Sequence, residues 1–388
     1  MTWEKKKLVE VCDALFAGGD VPKGNFSKTL TEEYTVPIYS NGIKDRGLYG
    51  YTNKARVLEP SITISARGTI GHIELRIKPF FPIIRLIVAT PNRNIFEIAF
   101  VKYALSLLEF KNTGVAIPQL TVPMVKNYEI PIPPLPEQKR IVSILDRAFA
   151  DIEKARANAE QNLKNSRELF NSYLQKVFTE KGEGEWKSTE LGEIASISSG
   201  GTPTKSNRSY WQGDIAWYAS GELNQTYTTD SKELITNKGL NESNAKIFPE
   251  GSLLIGMYDT AALKMSILDR DGTFNQAIAG VRPNDKINLL FIMSSINFIK
   301  PELMKLRRGV RQKNLNQSKI KAIPIDLPSI EIQNSIVEKL YEIKHKTQNL
   351  ESIYTKKLAA LDELKKSILQ KAFAGKTSVV DLRYSKSP

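Results

Sequence analysis

The sequence predicts an α+β fold in which two pseudo-symmetric, mixed α/β domains are joined by two long antiparallel coiled-coil helices. Two stretches with a helical pattern lie about half the chain apart, one from Pro136 to Phe178 and the other from Ser329 to Phe373. A shift of 195 residues, which places Gln138 on Gln333, superimposes them without gaps. A repeat of this length is typical of a duplicated domain-plus-helix unit.

Both stretches carry a single apolar stripe that repeats in steps of four and three residues, which is the seam of a coiled coil. One irregularity interrupts the first seam at Ala159–Leu163. Besides the glutamines, the coinciding residues are Ile141, Val142, Leu145, Leu163 and Leu169 with Ile336, Val337, Leu340, Leu358 and Leu364. The residues predicted to form the spacer and docking positions are Ile141, Leu145, Ile152, Leu163, Phe170, Ile336, Leu340, Leu350, Leu358 and Leu361.

The natural partner of each helix is the other helix, because neither stretch has a second apolar face. Antiparallel pairing follows from the duplication, since a domain–helix repeat closes most simply about a pseudo-two-fold axis. At 1.5 Å per residue, forty-odd residues make a rod of roughly 60–65 Å. Two unrelated surface helices are the alternative interpretation, and the repeat argues against it.

The repeat also gives the domain boundaries. We expect a first domain at 1–136, a spacer helix at 137–180, a second domain at 181–328, a second spacer helix at 329–375 and a polar tail at 376–388. Short apolar runs predict strands at 37–40, 61–65, 83–88, 215–218 and 253–258, and helices at 95–108 and 289–299. The sequences of the two domains match well at the beginning and end of each domain and poorly in between. This pattern is expected if the central parts carry different specificities.

Composition limits the function classes. The chain has 388 residues, a formal net charge of +13 and a pI near 9.4, which favours a polyanionic or acidic protein partner over a small neutral substrate. A lone Cys12 excludes a disulfide framework and a cysteine zinc cluster, and it suits a reducing cytoplasm. The pattern shows neither a signal peptide nor an apolar run long enough to span a membrane, so we expect a cytoplasmic protein.

A search for catalytic residues finds no candidate. His72 follows a glycine turn and His345 lies among lysines on the second long helix, and both are interpreted as structural or solvated. No glycine-rich loop marks an S-adenosylmethionine or dinucleotide site, and no acidic cluster predicts a metal site. Ala374–Thr377 superficially resembles a phosphate-binding loop, but it follows a helix and lacks the earlier glycine.

Four motifs resemble those of a known family. They are the Pro-Leu-Pro-Glu-Gln-Lys-Arg-Ile-Val run at 134–142, the Leu-Gln-Lys-Ala-Phe-Ala-Gly-Lys ending at 369–376, and the runs at 210–217 and 274–277. With the layout of the whole chain, they resemble the DNA specificity (S) subunit of type I restriction–modification systems. One region departs from the family pattern. The turn at Arg67–Gly71 in the first domain is typical of the family, whereas the corresponding segment of the second domain, residues 258–264, has a different sequence. The two domains are therefore predicted to belong to different recognition subclasses.

The resemblance implies that this chain recognises DNA and that catalysis takes place in partner subunits. Each domain would be a target recognition domain that reads one half of a split sequence in double-stranded DNA. The helices would set the gap and dock two methyltransferase (M) subunits, with restriction (R) subunits as a further class of partner. No cofactor is expected here, because S-adenosylmethionine, ATP and Mg would serve adenine N6 methylation and DNA cleavage in the partner subunits.

Candidate DNA-binding residues are basic or carry an amide, hydroxyl or phenol. Charges hold phosphates, while amides and guanidinium groups pair bidentately with base edges. In the first domain the candidates are Asn41, Lys44, Arg46, Arg67 and Thr69; in the second they are Lys205, Arg208, Tyr210, Lys264, Arg307, Arg308, Arg311, Gln312 and Lys313. A solvated basic face, with aromatic residues serving the core, is the alternative reading.

The favoured hypothesis is a non-catalytic specificity subunit of a type I restriction–modification complex. The rod would limit the separation of the half-sites to roughly 18 base pairs at 3.4 Å each, and a four-residue insertion at the seam irregularity is expected to lengthen the gap. The alternatives are a specificity subunit of a stand-alone or type II-like methyltransferase complex, an enzyme with an unrecognised site, and a scaffold that binds acidic proteins.

Overall fold

The computed structural model describes residues 3–110, 118–182, 184–308 and 315–374 of the chain. The chain divides into two compact units, one formed by residues 1–160 and 356–388 and the other by residues 161–355. Each unit holds one mixed α/β domain and a stretch of both long helices. This architecture confirms the predicted fold class.

The first domain is built from short strands that form three sheets. The strands are β1 (Lys5–Lys7), β2 (Cys12–Ala17), β3 (Val36–Tyr39), β4 (Leu48–Thr52), β5 (Ser61–Ile64), β6 (Ile73–Arg76), β7 (Phe81–Pro82), β8 (Ile87–Pro91) and β9 (Glu129–Pro131), and the helices are α1 (Leu8–Val11), α2 (Ile98–Ser106) and α3 (Val122–Val125). The sheets have the orders β2-β8-β5-β6, β4-β3-β7 and β1-β9. All pairs are antiparallel except β3 with β7.

A 46-residue helix, α4 (Leu135–Glu180), follows the first domain. The second domain contains β10 (Lys187–Glu190), β11 (Ile197–Ser199), β12 (Trp211–Tyr218), β13 (Glu233–Ile235), β14 (Leu253–Gly256), β15 (Met265–Ile267), β16 (Thr273–Phe274), β17 (Ile278–Val281) and β18 (Pro324–Leu327), with helices α5 (Leu191–Ile194), α6 (Asn237–Asn241), α7 (Leu289–Arg308) and α8 (Gln317–Lys321). The 44-residue helix α9 (Ile330–Phe373) comes last.

The second domain repeats the strand arrangement of the first. Its sheets have the orders β11-β17-β14-β15, β13-β12-β16 and β10-β18, and its one parallel pair, β12 with β16, corresponds to β3 with β7. The centres of the two domains, which match poorly in sequence, therefore share one scaffold.

The predicted strand at 83–88 is wrong in its first half. Residues 83–86 form a tight turn, closed by a 3.0 Å hydrogen bond from the Leu86 amide to the Ile83 carbonyl, and β8 begins at Ile87. The turn places Ile84 and Arg85 at φ values of 53° and 59°. Neither residue is a glycine or asparagine, so the sequence gives no turn signal here.

Within the first unit, the two long helices run antiparallel. Glu153 accepts a 2.6 Å hydrogen bond from the Lys365 ammonium, and Arg156 pairs with Asp362, so residue numbers fall on one helix as they rise on the other. In the second unit, Arg167 and Glu351 pair across the helices at 3.4 Å. These side chains are partly or largely exposed, so each pair contributes little to stability.

The helix seams are mostly apolar, as predicted, but each includes a buried hydroxyl residue in the second unit. Ser166 and Thr347 are each only 4% exposed. Their hydroxyl groups donate to the carbonyls of Asn162 and Lys344 on their own helices, both at 2.8 Å. Because the polar atoms are satisfied locally, these residues fit positions that the apolar pattern leaves open.

Each domain core includes a phenylalanine from the end of a long helix. In the first unit, Phe373 of α9 lies against Phe100 of α2, with ring centroids 4.9 Å apart. In the second unit, Phe178 of α4 lies 5.4 Å from Phe291 of α7. Aromatic pairs at such distances add about 0.5–1.5 kcal/mol to the free energy of burial. The end of each helix is thus part of a domain core.

The start of each long helix is fixed to its own domain by a fully buried glutamine. The Gln138 side-chain oxygen accepts from the Glu97 amide at 2.9 Å, and its nitrogen donates to the carbonyls of Ile95 and Pro133 at 2.9 and 2.8 Å. Since Glu97 precedes the first turn of α2, the amide oxygen satisfies a backbone donor that the helix leaves unpaired.

The second glutamine makes the same set of hydrogen bonds. The Gln333 oxygen accepts from the Asn288 amide at 2.8 Å, and its nitrogen donates to the carbonyls of Lys286 and Pro328 at 3.2 and 2.9 Å. We call these two sets of contacts, centred on Gln138 and Gln333, the glutamine clamps. All six partners are backbone groups, so each clamp depends on the course of the chain and not on the side chains of the domain.

Replacing either clamp residue by methionine, as in Gln138→Met, is expected to lower the free energy of unfolding by roughly 2–4 kcal/mol. Methionine matches the volume of glutamine but leaves buried backbone donors and acceptors unpaired. Urea unfolding followed by circular dichroism measures the change. The matched control is Gln161→Met at an exposed position of α4. A loss at Gln138 no larger than at Gln161 would show that the clamps do not stabilise the fold.

Candidate nucleic-acid interface

Five segments converge at one edge of the first domain: residues 17–20, 41–47, 65–72, 83–86 and 119–123. The side chain of Asn41 joins three of them, because its nitrogen donates to the Ile84 carbonyl at 2.6 Å and its oxygen accepts from the Ala66 amide at 2.7 Å. Asn41 was predicted to contact DNA; its amide is already engaged at both ends and holds the loops together.

A further loop contact comes from Arg67, another predicted DNA-binding residue. Its Nε and Nη2 atoms donate to the Gln119 side-chain oxygen at 3.1 and 2.8 Å. Together with Gly18, Ile84 and Arg85, these two residues line a cleft of about 590 Å³. The arrangement brings a guanidinium group and an amide to the mouth of the cleft.

A glycine allows the segments to approach so closely. A Cβ atom on Gly18 would lie 2.6 Å from the carbonyl carbon of Pro82, closer than real contacts allow. Gly200 holds the same place in the second domain, where a Cβ atom would lie 2.0 Å from the Phe274 carbonyl oxygen. A glycine is therefore required at positions 18 and 200, the first residue of a Gly-Gly pair in each domain.

The loop at 41–47 presents two more of the predicted residues. Arg46, which has a φ of 55°, donates to one Glu74 carboxylate oxygen through Nε and Nη2 at 2.9 and 2.8 Å. This pairing partly neutralises its charge. Lys44 and Thr69 are exposed at this edge of the domain. The structure therefore leaves Lys44 more available to a phosphate than Arg46.

Arg76, which was not predicted from the sequence as a functional residue, supports this loop from inside the domain. It is only 5% exposed, its guanidinium lies 3.6 Å from the Tyr39 ring centre, and its Nη2 donates to the Arg46 carbonyl at 2.6 Å. Burial lowers the pKa of Arg76, but an arginine starts so high that it stays charged. Its place at the end of a strand gives no sequence signal for such a role.

In the second domain, Lys205 lies over two tryptophans. Its ammonium is 3.8 Å from the Trp211 ring centre and 4.7 Å from that of Trp217, and it pairs with Glu233 at 2.5 Å. Trp217 is buried and donates to the Gly201 carbonyl at 3.0 Å, whereas Trp211 is half-buried. One aromatic residue therefore serves the core, and the other forms a platform under a cation.

Two further candidates lie in a short 3-10 turn, Arg208–Tyr210, beside this platform. Arg208 is exposed. The Tyr210 hydroxyl donates to Glu242 at 2.8 Å, and this hydrogen bond raises the pKa of the phenol. Tyr210 is therefore a neutral hydrogen-bonding group at physiological pH, with its donor already used within the domain.

Lys264 belongs to the turn between β14 and β15, which corresponds to the Arg67–Gly71 turn of the first domain. Its ammonium donates to the Asn224 side-chain oxygen at 3.0 Å. The preceding Leu263 has a φ of 55° where the first domain has Gly71 at 81°. The two turns therefore share a backbone feature although their sequences differ.

The basic segment after α7 falls largely outside the described residues. Arg307 and Arg308 end α7 and their side chains are not described, while Arg311, Gln312, Lys313 and the tail beyond Ala374 lie outside the described ranges. Within the described residues, no group of three histidine, cysteine, aspartate or glutamate side chains could hold a metal ion, and no helix is long and apolar enough to cross a membrane.

The predicted spacer residues of the long helices are all buried or partly buried. Ile141, Leu145, Ile152 and Leu340 are buried, and Leu163, Phe170, Ile336, Leu350, Leu358 and Leu361 are partly buried. Leu169 and Leu364, which coincide in the repeat, are instead 49% and 37% exposed. Neither leucine was among the predicted spacer positions, although a repeated leucine outside the seam is a signal that the sequence contains.

The family model described as "Type I restriction modification DNA specificity domain" matches residues 1–161 and 183–358. A putative type I specificity subunit from Mycoplasma pneumoniae is 41% identical over 37% of this chain and 42% of its own length. The EcoR124I/EcoR124II specificity subunit from Escherichia coli is 29% identical over 55% and 54%. The chain thus spans about half the length of these relatives.

Other matches extend over the whole chain. The putative MjaX specificity subunit from Methanocaldococcus jannaschii is 26% identical over 97% of this chain and 94% of its own. The HsdS subunit from Thermoanaerobacter tengcongensis has the same fold, with a TM-score of 0.65 and 20% identity over 97% of both chains. A chain solved in a study of type I R-M complex assembly has a TM-score of 0.73 at 20% identity, over 97% of this chain and 98% of its own.

Proposed function

The chain belongs to the family of type I restriction–modification DNA specificity domains, and from this premise we propose that it is a non-catalytic subunit that recognises a bipartite DNA target. Each domain reads one half of the target in the major groove. The observation that carries the proposal is the strand arrangement shared by two domains whose turns carry different side chains. A common scaffold with different turns suits two readers of different sequences.

Charge and chemistry support a DNA partner. The net charge of +13 favours a polyanion, because each neutralised phosphate releases counterions. The turns at the edge of the first domain present Lys44, Arg67 and Arg85 together with amide and hydroxyl groups. This mixture suits phosphate contacts that fix the position of the protein and base contacts that provide specificity.

The paired helices are proposed to set the gap between the half-sites and to dock two methyltransferase subunits. Leu169 and Leu364 support the docking role, because equivalent exposed leucines suit two copies of one partner. Methylation of adenine N6, with S-adenosylmethionine, would belong to those subunits. DNA cleavage with ATP and Mg would belong to restriction subunits where the system has them.

Exchange of residues 1–135 for the corresponding domain of another family member tests the bipartite proposal. The chain is co-expressed with its methyltransferase partner, and methylated motifs are mapped across the genome. We expect a split motif in which only one half changes on exchange, because the other reader is untouched. Exchange of residues 187–327 is the matched control and should change the other half. A single undivided motif would contradict the proposal.

A matched insertion tests the role of the helices in setting the gap. Four residues are added at Ala159–Leu163 in α4 and four after Leu358 in α9, so that the antiparallel seam stays paired. One extra turn adds roughly 6 Å, and we expect the gap to lengthen by about two base pairs of 3.4 Å. The same methylation mapping reports the gap. An unchanged gap in a folded, active complex would show that the helices do not measure it.

A further inference from the structure

The turn at 83–86 holds two non-glycine residues in a conformation that L-residues rarely adopt. Ile84 and Arg85 have φ values of 53° and 59°, and the 3.0 Å hydrogen bond between Leu86 and Ile83 closes the turn. Two successive left-handed residues define a type I′ turn, which favours Asn-Gly. A β-branched residue there is a genuine outlier.

The surroundings hold the turn in this strained form from several sides. The Ile84 and Arg85 amides donate to the carbonyls of Gly19 and Gly18 at 2.8 and 3.1 Å, and the Ile84 carbonyl accepts from Asn41 at 2.6 Å. Strain of this kind persists where the rest of the fold determines it, and it concentrates at functional sites. The turn therefore has a fixed backbone that does not depend on its own side chains.

The two side chains at the tip are not used by the domain. Ile84 is 44% exposed, and the exposed guanidinium of Arg85 makes no hydrogen bond or ion pair to the described part of the chain. Both line the cleft that also contains Arg67. An apolar group beside a guanidinium matches the edges of bases in the major groove, where thymine offers a methyl group and guanine offers two acceptors.

The second domain has a turn at the equivalent position, residues 275–278, which lacks the left-handed backbone and carries a different side chain at its tip. The Asn275 amide donates to the Tyr218 carbonyl at 3.0 Å, as Ile83 does to Tyr39 at 2.9 Å. The Ile278 amide then donates to the Asn275 carbonyl at 3.1 Å and closes the turn, as Leu86 does to Ile83. Gln276 therefore occupies the position that Ile84 occupies in the first domain. Gln276 is exposed, and its oxygen accepts from the Thr202 hydroxyl at 2.6 Å.

We propose that these two turns read bases: Ile84 and Arg85 contact one half-site, and Gln276 contacts the other. The inference rests on the proposed function and names the specificity-determining residues within it. In the first domain the strained backbone presents an apolar group and a guanidinium to base edges. In the second, the glutamine amide can pair with adenine.

The double variant Ile84→Asn/Arg85→Gly separates stability from base reading. It gives the turn the sequence that a type I′ turn prefers, so we expect the melting temperature to rise by a few degrees. The assembled complex with its methyltransferase partner is used to select DNA from a pool of randomised duplexes, which are then sequenced. Base preference in one half of the motif should fall roughly tenfold or more at one or two positions, while the other half stays unchanged.

Two further variants serve as controls. Gln276→Ala should alter the opposite half of the motif only. Leu58→Ala/Arg93→Ala removes an apolar group that is 70% exposed and an exposed arginine elsewhere on the first domain, and it should leave both halves as they are. A wild-type complex that selects no split motif contradicts the proposed function itself. A split motif that survives unchanged in the double variant overturns the assignment of the turn.

Discussion

A buried glutamine at the start of each long helix is the contact on which the arrangement of each unit depends. A helix that packs only through an apolar stripe can slide or rotate at small cost, because the hydrophobic effect has no direction. The amide of Gln138 uses its oxygen and both donors on three backbone groups, and Gln333 repeats this pattern. Each of these buried groups, if left without a hydrogen bond, would lower the free energy of unfolding by about 1–3 kcal/mol. The helix therefore starts at one fixed position and rotation on its domain.

Because the glutamine clamps contact only backbone groups, they do not depend on which side chains occupy the turns of a domain. The same separation recurs in the domain interior. Gly18 and Gly200 let equivalent segments approach, while Ile84 and Gln276 occupy equivalent tips with different chemistry. A scaffold of this kind tolerates changes in its turns without loss of packing. Such a scaffold fits the proposal that the two domains share a fold and differ in DNA target.

The sequence predicted the long helices well and the turns poorly, for identifiable reasons. A seam repeated over forty positions outweighs local irregularities, so α4 and α9 could be predicted from the spacing of apolar residues. Their antiparallel pairing could be predicted from the duplication of the domain-plus-helix unit. Ser166 and Thr347 were missed because a polar residue breaks the pattern, although its hydroxyl group bonds to its own helix.

The turn at 83–86 was missed because Ile83–Val88 reads as a continuous strand. Its conformation is imposed by hydrogen bonds to Asn41, Gly18 and Gly19, which are distant in sequence. The local propensity of residues 83–86 therefore could not predict the turn. Likewise Asn41, Arg46 and Arg67 could be identified as polar loop residues, but not as residues with partners inside the domain. Those partners are set by long-range packing.

The proposal that the two domains are paired DNA readers is tested most directly by making the domains identical. Residues 187–327 are grafted in place of residues 5–131, and both long helices keep their own glutamines, which the graft can satisfy because their partners are backbone groups. The DNA motif methylated by the complex is then mapped. Two copies of one reader on antiparallel helices predict an inverted repeat of the second domain's half-site. A direct repeat, or an asymmetric motif, would contradict the pairing of two equivalent readers.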